Sequence, residues 1–182
     1  PLVGPAAIAA GSPVPGGASR LTPPATVRVR QALEAHGVPS EVIVLSESAR
    51  TAAEAAAACG VAVGQIVKSL VFLAGDEPIL VLVSGANQAD ERRLAALSGQ
   101  SVRRADAHAV RAVTGFAIGG VPPLAHPQRL RVFIDRDLLA YERLIAAAGT
   151  PHAVFPITPA DLCRVTAGAV ADLKRDGHGG RA

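Results

Sequence analysis

Of the eighteen basic residues only two are lysines, Lys68 and Lys174, and the rest are arginines. In a chain with so strong a preference for arginine, the two positions that hold lysine are the first to examine for chemistry. Lys68 lies in Gln65-Ile-Val-Lys-Ser-Leu-Val-Phe72, an apolar run with strand character. With a side-chain period of two, Ile66, Lys68, Leu70 and Phe72 share one face. An ammonium aligned with three apolar side chains needs an anion or a cavity, because an unpaired buried charge is costly. One reading is a phosphate or carboxylate anchor, or a lysine of lowered pKa. The other is a lysine at a strand end that snorkels to water.

A second segment with chemical potential is Thr114-Gly-Phe-Ala-Ile-Gly-Gly-Val-Pro-Pro-Leu-Ala-His126. Gly115, Gly119 and Gly120 permit positive φ and close approach of a ligand to the backbone. Pro122 and Pro123 stiffen the exit. Such a loop can aim consecutive N–H groups at an anion or a developing oxyanion. An ordinary connecting loop would have the same composition.

Other familiar chemistries are missing. The chain has no G-x-S-x-G, Walker A, H-E-x-x-H or strand-linked G-x-G-x-x-G pattern. Its five histidines form no pair at a helical ligand spacing, so neither a metal nor a cofactor is expected. Cys59 and Cys163 stand alone, which suits reduced, buried thiols rather than zinc or a disulfide framework.

The elements that must position these residues follow from local signals. Thr22-Pro23-Pro24 opens a helix to about His36, stopped by Gly37. Val42 to Leu45 reads as a strand, and Thr51-Ala-Ala-Glu54 as a capping box for a helix ended by Gly60. Gln65 to Leu73 and Pro78 to Ser84 form a hairpin around a four-residue turn. Helices are expected over Asp90 to Leu97 and Asp106 to Val113, with a short strand at Val102 and Arg103 between them. After the glycine loop come a strand from Leu130 to Ile134, a hairpin joining Leu144–Ala148 to His152–Phe155, and a helix from Pro159 to Arg164. This order predicts an α+β fold, a mixed and mostly antiparallel sheet with flanking helices.

At 182 residues, 49% hydrophobic and 18% charged, the chain suits one domain and excludes wholesale disorder. Residues 1–24 read as a flexible Pro/Gly/Ala-rich tail, 25–175 as the folded body and 176–182 as a frayed end. No apolar run free of Pro and Gly is long enough to span a bilayer, so no membrane partner is expected. Four Phe, one Tyr and no Trp make a base-stacking platform improbable. The net charge of +3 permits a polyanionic partner without requiring one.

In order along the chain, VKSLVF, VLVSGANQAD, TGFAIGGVPPLAH and VFID resemble the YbaK/ProX family. These are free-standing aminoacyl-tRNA deacylases related to the editing insertion domain of bacterial prolyl-tRNA synthetase. The resemblance covers residues 25–173 and implies a YbaK-like editing domain. It implies that Lys68 engages the phosphate end of the tRNA acceptor terminus, and that Gly119-Gly120-Val121-Pro122-Pro123 holds the aminoacyl ester through its backbone. It sets Asn87 in the segment beside the pocket, Thr114, Gly115 and His126 at the flanks of the loop, and Asp135 after the next strand near the same region, all as candidates for substrate binding. For His126 an exposed loop imidazole remains open, and for Asp135 a helix N-cap before Arg136-Asp137-Leu138.

The implied function is trans-editing, the hydrolysis of the ester of a mischarged small amino acid (Ser, Thr, Ala or Cys) on tRNA, in the cytoplasm. The GGVPP loop looks more like branches associated with Ser or Thr than the Ala-specific one. An activated ester can be cleaved by positioning and oxyanion stabilisation, with water as nucleophile. Arg92, Arg93, Arg103, Arg104 and Arg111 make the densest basic stretch and the expected tRNA surface, or else a solvated helix face. A synthetase or elongation factor is a further partner this reading admits, whereas DNA is not expected. Two alternatives stand: a non-catalytic module of the same fold that binds tRNA or a synthetase, and a hydrolase of small aminoacyl or nucleotide esters.

Overall fold

Capping chemistry sets most element boundaries in the computed structural model, which describes residues 23–39 and 41–176. The expected tail up to residue 22 and the end beyond 176 lie outside the described residues. Helix α1 (Pro24–Ala35) starts with proline in its first turn, where the missing N–H costs nothing. Helix α2 (Ala52–Cys59) has the full capping box: Glu54 N–H donates to Thr51 Oγ1, and Thr51 N–H to Glu54 Oε2. Asp90 caps α3 (Glu91–Ser98), Asp106 caps α4 (Ala107–Thr114), and Thr158 caps α5 (Pro159–Thr166). Gly60, Gly99 and Gly115 end α2, α3 and α4 in the left-handed conformation.

The strands are β1 (Ile43–Val44), β2 (Ile66–Ala74), β3 (Glu77–Ser84), β4 (Val102–Arg104), β5 (Arg131–Asp135), β6 (Leu144–Thr150), β7 (Ala153–Ile157) and β8 (Ala169–Ala171). They form one sheet in the order β1-β7-β6-β2-β3-β5-β8, with β4 added to β2. β2–β3, β2–β4, β6–β7 and β1–β7 are antiparallel, while β2–β6, β3–β5 and β5–β8 are parallel. The sheet is therefore mixed and the class α+β, as expected.

Two turns are tighter than the sequence suggested. β2 and β3 run to Ala74 and Glu77, which leaves only Gly75-Asp76 between them, with Gly75 at φ +58°. Strand pairing extends into the expected four-residue turn because glycine accepts the positive φ of a two-residue loop. The β6–β7 hairpin has an irregularity between Ala147 and Thr150, where Gly149 takes φ +95°.

Residues of β2 and β3 alternate between the two sheet faces. Val67, Val71, Leu80, Leu82 and Ile134 pack with α1, α5 and the 116–124 loop in the main core. Phe72, Ile79, Val81, Val83 and Phe133 pack on the other face against Leu94 of α3. A third cluster joins Ala55 and Ala56 of α2 to Ile66, Ile145 and Val154. No helix of the described residues is long and apolar enough to cross a membrane.

Candidate active site

The two edges of β2 are paired unequally. β3 follows it in register from Val67 to Ala74. On the opposite edge β6 pairs only with Ile66 and Val67, and β4 only with Phe72 to Ala74. The stretch from Lys68 to Leu70 has no strand beside it on that edge. A cavity of 320 Å³ opens there. Its walls include Lys68, Ser69, Leu70 and Val71 of β2, Arg104 of β4 and Ala105 after it, Val110 of α4, Ile118, Gly119 and Val121 of the loop, and Arg50 before α2. Most of the lining is apolar. Arg50, Lys68 and Arg104 bring positive charge, and no carboxylate among the described residues lines it.

Lys68 is half-buried. Its side chain shares the face of Phe72, and Nζ donates to the backbone carbonyl of Asn87. Burial pushes the ammonium below the ordinary lysine value, Arg104 pushes the same way, and Asp135 opposes both. The Asn87 segment is itself tied down. Asn87 Nδ2 donates to Asp135 Oδ2 at 2.8 Å and to Asp137 Oδ2 at 2.9 Å. Asp135 is 1% exposed; it accepts the Ser84 N–H at 3.1 Å and caps the following 3-10 turn through the Asp137 N–H, also at 3.1 Å. Lys174, the other lysine, reaches Asp137 Oδ2 at 2.9 Å. Asn87 lowers the Asp137 pKa, and Lys174 adds to the effect. Asn87 and Asp135 thus lie behind Lys68, outside the cavity lining.

The glycine loop divides into a part that faces the cavity and a part that packs. Gly119, at φ +90°, lines the cavity, and its N–H makes no backbone bond among the described residues. Gly120 is buried behind it and donates its N–H to the Ala117 carbonyl at 3.0 Å. A Cβ on Gly120 would lie 2.8 Å from the Gly149 oxygen and from Thr150 Cα, so this glycine allows the loop to sit on the β6–β7 hairpin. Val121 reaches the cavity, while Pro122 and Pro123 are buried beneath it.

Thr114, Gly115 and His126 hold the loop ends. Thr114 Oγ1 donates to the Val110 carbonyl at 2.7 Å and accepts the Phe116 N–H at 3.1 Å. The Arg28 guanidinium donates to the Gly115 carbonyl at 2.9 Å and lies 4.5 Å from the centre of the Phe116 ring. His126 Nε2 pairs with the Pro122 carbonyl at 2.9 Å, and burial lowers its pKa. It is a partly buried loop brace rather than an exposed imidazole.

The five arginines are dispersed. Arg93 is paired with Asp172 and, at 2.7 Å, with Asp176. Arg92 and Arg111 are exposed on α3 and α4. Arg103 and Arg104 stand opposite Leu73 and Phe72 on β4, and of the five only Arg104 lines the cavity. Arg50 and Ser69 also line it. Sequence reasoning passed over both, although a hydroxyl between Val67 and Val71 on an apolar face was a visible anomaly. Cys59 and Cys163 are free, partly buried and absent from the cavity, and burial raises both thiol pKa values. Among the described residues no group of His, Cys, Asp and Glu could hold a metal.

Residues 46–165 match the family described as Aminoacyl-tRNA editing domain, which is more than half of the chain. The chain is 29% identical over 124 residues to the uncharacterized protein YwhH of Bacillus subtilis, covering 68% of this chain and 79% of that protein. It is 26% identical over 147 residues to the proline–tRNA ligase of Listeria innocua, covering 75% of this chain but only 25% of the ligase. A crystal structure whose description proposes a trans-editing enzyme for prolyl tRNA synthetase superposes with a TM-score of 0.81 at 48% identity, over 85% of this chain and 99% of that one. The cavity at the break in the sheet is thus carried by a chain that belongs to the aminoacyl-tRNA editing domain family, with the YbaK-like fold.

Proposed function

We propose that this chain is a trans-editing aminoacyl-tRNA deacylase that hydrolyses the ester of a mischarged small amino acid, of the Ser, Thr, Ala or Cys class, on tRNA. One observation carries the reading: Lys68 and Gly119 border the same largely apolar cavity of 320 Å³ at the break in the sheet. A cavity of that size suits a small aminoacyl group, and the cations at its walls suit the phosphates of an acceptor end.

The reaction asks little of the protein. Water adds to the acyl carbon, the bond to the ribose oxygen breaks, and the leaving oxygen takes up a proton. Lys68 binds and orients the terminal nucleotide through its charge. In this reading the N–H of Gly119, which makes no backbone hydrogen bond among the described residues, stabilises the oxygen that becomes negative in the transition state. The neighbouring 2′-hydroxyl orients the water. Neither cysteine takes part. Arg104 and Arg50 extend the positive rim towards the tRNA, and the reading carries a cytoplasmic location with it.

The test is a deacylation panel. tRNA charged with Ala, Ser, Thr, Cys or Pro is mixed with the purified protein and with Lys68→Ala. Selective release of one or two small amino acids, reduced at least about 100-fold in the variant, is expected. No release with tRNA binding intact would replace the enzyme by a binding module.

A further inference from the structure

Ser69 is the anomaly of the cavity wall. Its Oγ is buried and has no hydrogen-bond partner. Buried hydroxyls in folded proteins almost always find a partner, so an orphan needs a reason. The other such group among the described residues, Thr26 Oγ1, belongs to α1 and does not line the cavity. Ser69 does line it, on the face shared by Val67 and Val71.

The backbone of the same residue is also open. Val71 accepts the Ala105 N–H at 3.1 Å, so its carbonyl points away from β3. In an antiparallel pair the N–H and C=O of one residue point the same way, and the direction alternates along the strand. Ser69, two residues earlier, therefore turns its N–H and C=O to the edge that neither β4 nor β6 reaches. One residue thus presents a free donor, a free acceptor and an unpartnered hydroxyl at the break in the sheet.

We propose that Ser69 reads the side chain of the bound amino acid and favours one carrying a hydroxyl. This deepens the deacylase reading and rests on it. A hydroxyl donates and accepts at once, and so complements Ser69. A methyl side chain leaves the buried polar groups unsatisfied, and a thiol is only a weak partner. A cationic group is disfavoured, because Arg50, Lys68 and Arg104 line the cavity and no carboxylate does. Sites that must hydrogen-bond a hydroxyl discriminate more strongly than apolar pockets that merely fit or exclude a methyl.

The test uses the intact protein, tRNA charged with serine and with alanine, and the variants Ser69→Ala and Ser69→Thr. The expected result is faster release of serine than of alanine by the wild type. Ser69→Ala should narrow that ratio at least about tenfold, and Ser69→Thr, which keeps a hydroxyl, should restore part of it. The melting temperature of Ser69→Ala should not fall, since the lost hydroxyl had no partner in the free protein. Equal release of both amino acids by the wild type, an unchanged ratio in Ser69→Ala, or a fall of several degrees in its melting temperature would each overturn the proposal. Release of alanine alone would overturn it and leave the deacylase reading standing. Release of neither would overturn the proposal, and only if threonine and cysteine also stayed on their tRNA would the deacylase reading end with it.

Discussion

The two edges of β2 do different work with the same residues. Towards β3 the pairing is continuous from Val67 to Ala74, and β3 is buried almost throughout. Towards β6 and β4 the pairing stops on both sides of Lys68, Ser69 and Leu70. The closed edge contributes stability and leaves no polar backbone exposed. The open edge leaves polar groups unsatisfied at a cavity, which is tolerable where a ligand completes them. The cavity here opens where β6 and β4 leave the middle of β2 uncovered, and the 118–121 loop, α4 and the residues before α2 wall it.

The sharpest way to break this comparison is on the closed edge. Ile79 is fully buried opposite Phe72, on the face away from the main core. Ile79→Ala should cost about 2–5 kcal/mol in chemical denaturation, while the protein that remains folded keeps its ranking of charged tRNAs. A changed ranking would mean that the two edges are not separable.

Much of this arrangement was legible in the sequence, and the part that was not has a common cause. Caps at Thr51 and Asp106 are local chemistry and could be read directly. The face shared by Lys68, Leu70 and Phe72 follows from period-two alternation. Alternation says nothing about which strand lies beside an edge, so the double pairing of β2 with β4 and β6 stayed hidden. With it stayed hidden the cavity, Arg50 and Ser69. β8 escaped notice because Ala169-Val-Ala171 is too short and too weakly apolar to register. Gly119 and Gly120 looked equivalent in sequence, whereas one lines the cavity and the other packs on Gly149 and Thr150. Only the tertiary neighbours distinguish them.

A second perturbation acts behind the open edge. Asn87→Ala removes both amide hydrogen bonds to Asp135 and Asp137 and leaves the buried Asp135 carboxylate with fewer donors. It should cost about 1–3 kcal/mol in denaturation. It should also raise the KM for charged tRNA, because the Asn87 carbonyl that holds Lys68 is no longer fixed. A stability loss without a KM change would uncouple this network from the cavity.

The smallest effect is a titration. Burial and Arg104 lower the Lys68 pKa, so in the free protein its charge is lost at a pH below that of an ordinary lysine. Deacylation above the spontaneous rate should therefore weaken on the alkaline side before an ordinary lysine would titrate, mainly through KM. Stability moves the other way. A depressed folded pKa means that the unfolded chain binds more protons, so stability gains as pH rises through the folded value towards the unfolded one. Lys68→Met should flatten both slopes, as seen in pH profiles of KM and of the denaturation midpoint.

The account turns on whether the aminoacyl end sits at the break in the sheet, and amide hydrogen exchange along β2 addresses this directly. In the free protein the Ser69 amide should exchange much faster than that of its neighbour Leu70, whose N–H points towards β3. A non-hydrolysable aminoacyl-adenosine analogue should protect Ser69 and leave Leu70 as it was. Slow exchange at Ser69 in the free protein, or an analogue that leaves the Ser69 rate unchanged, would contradict the account.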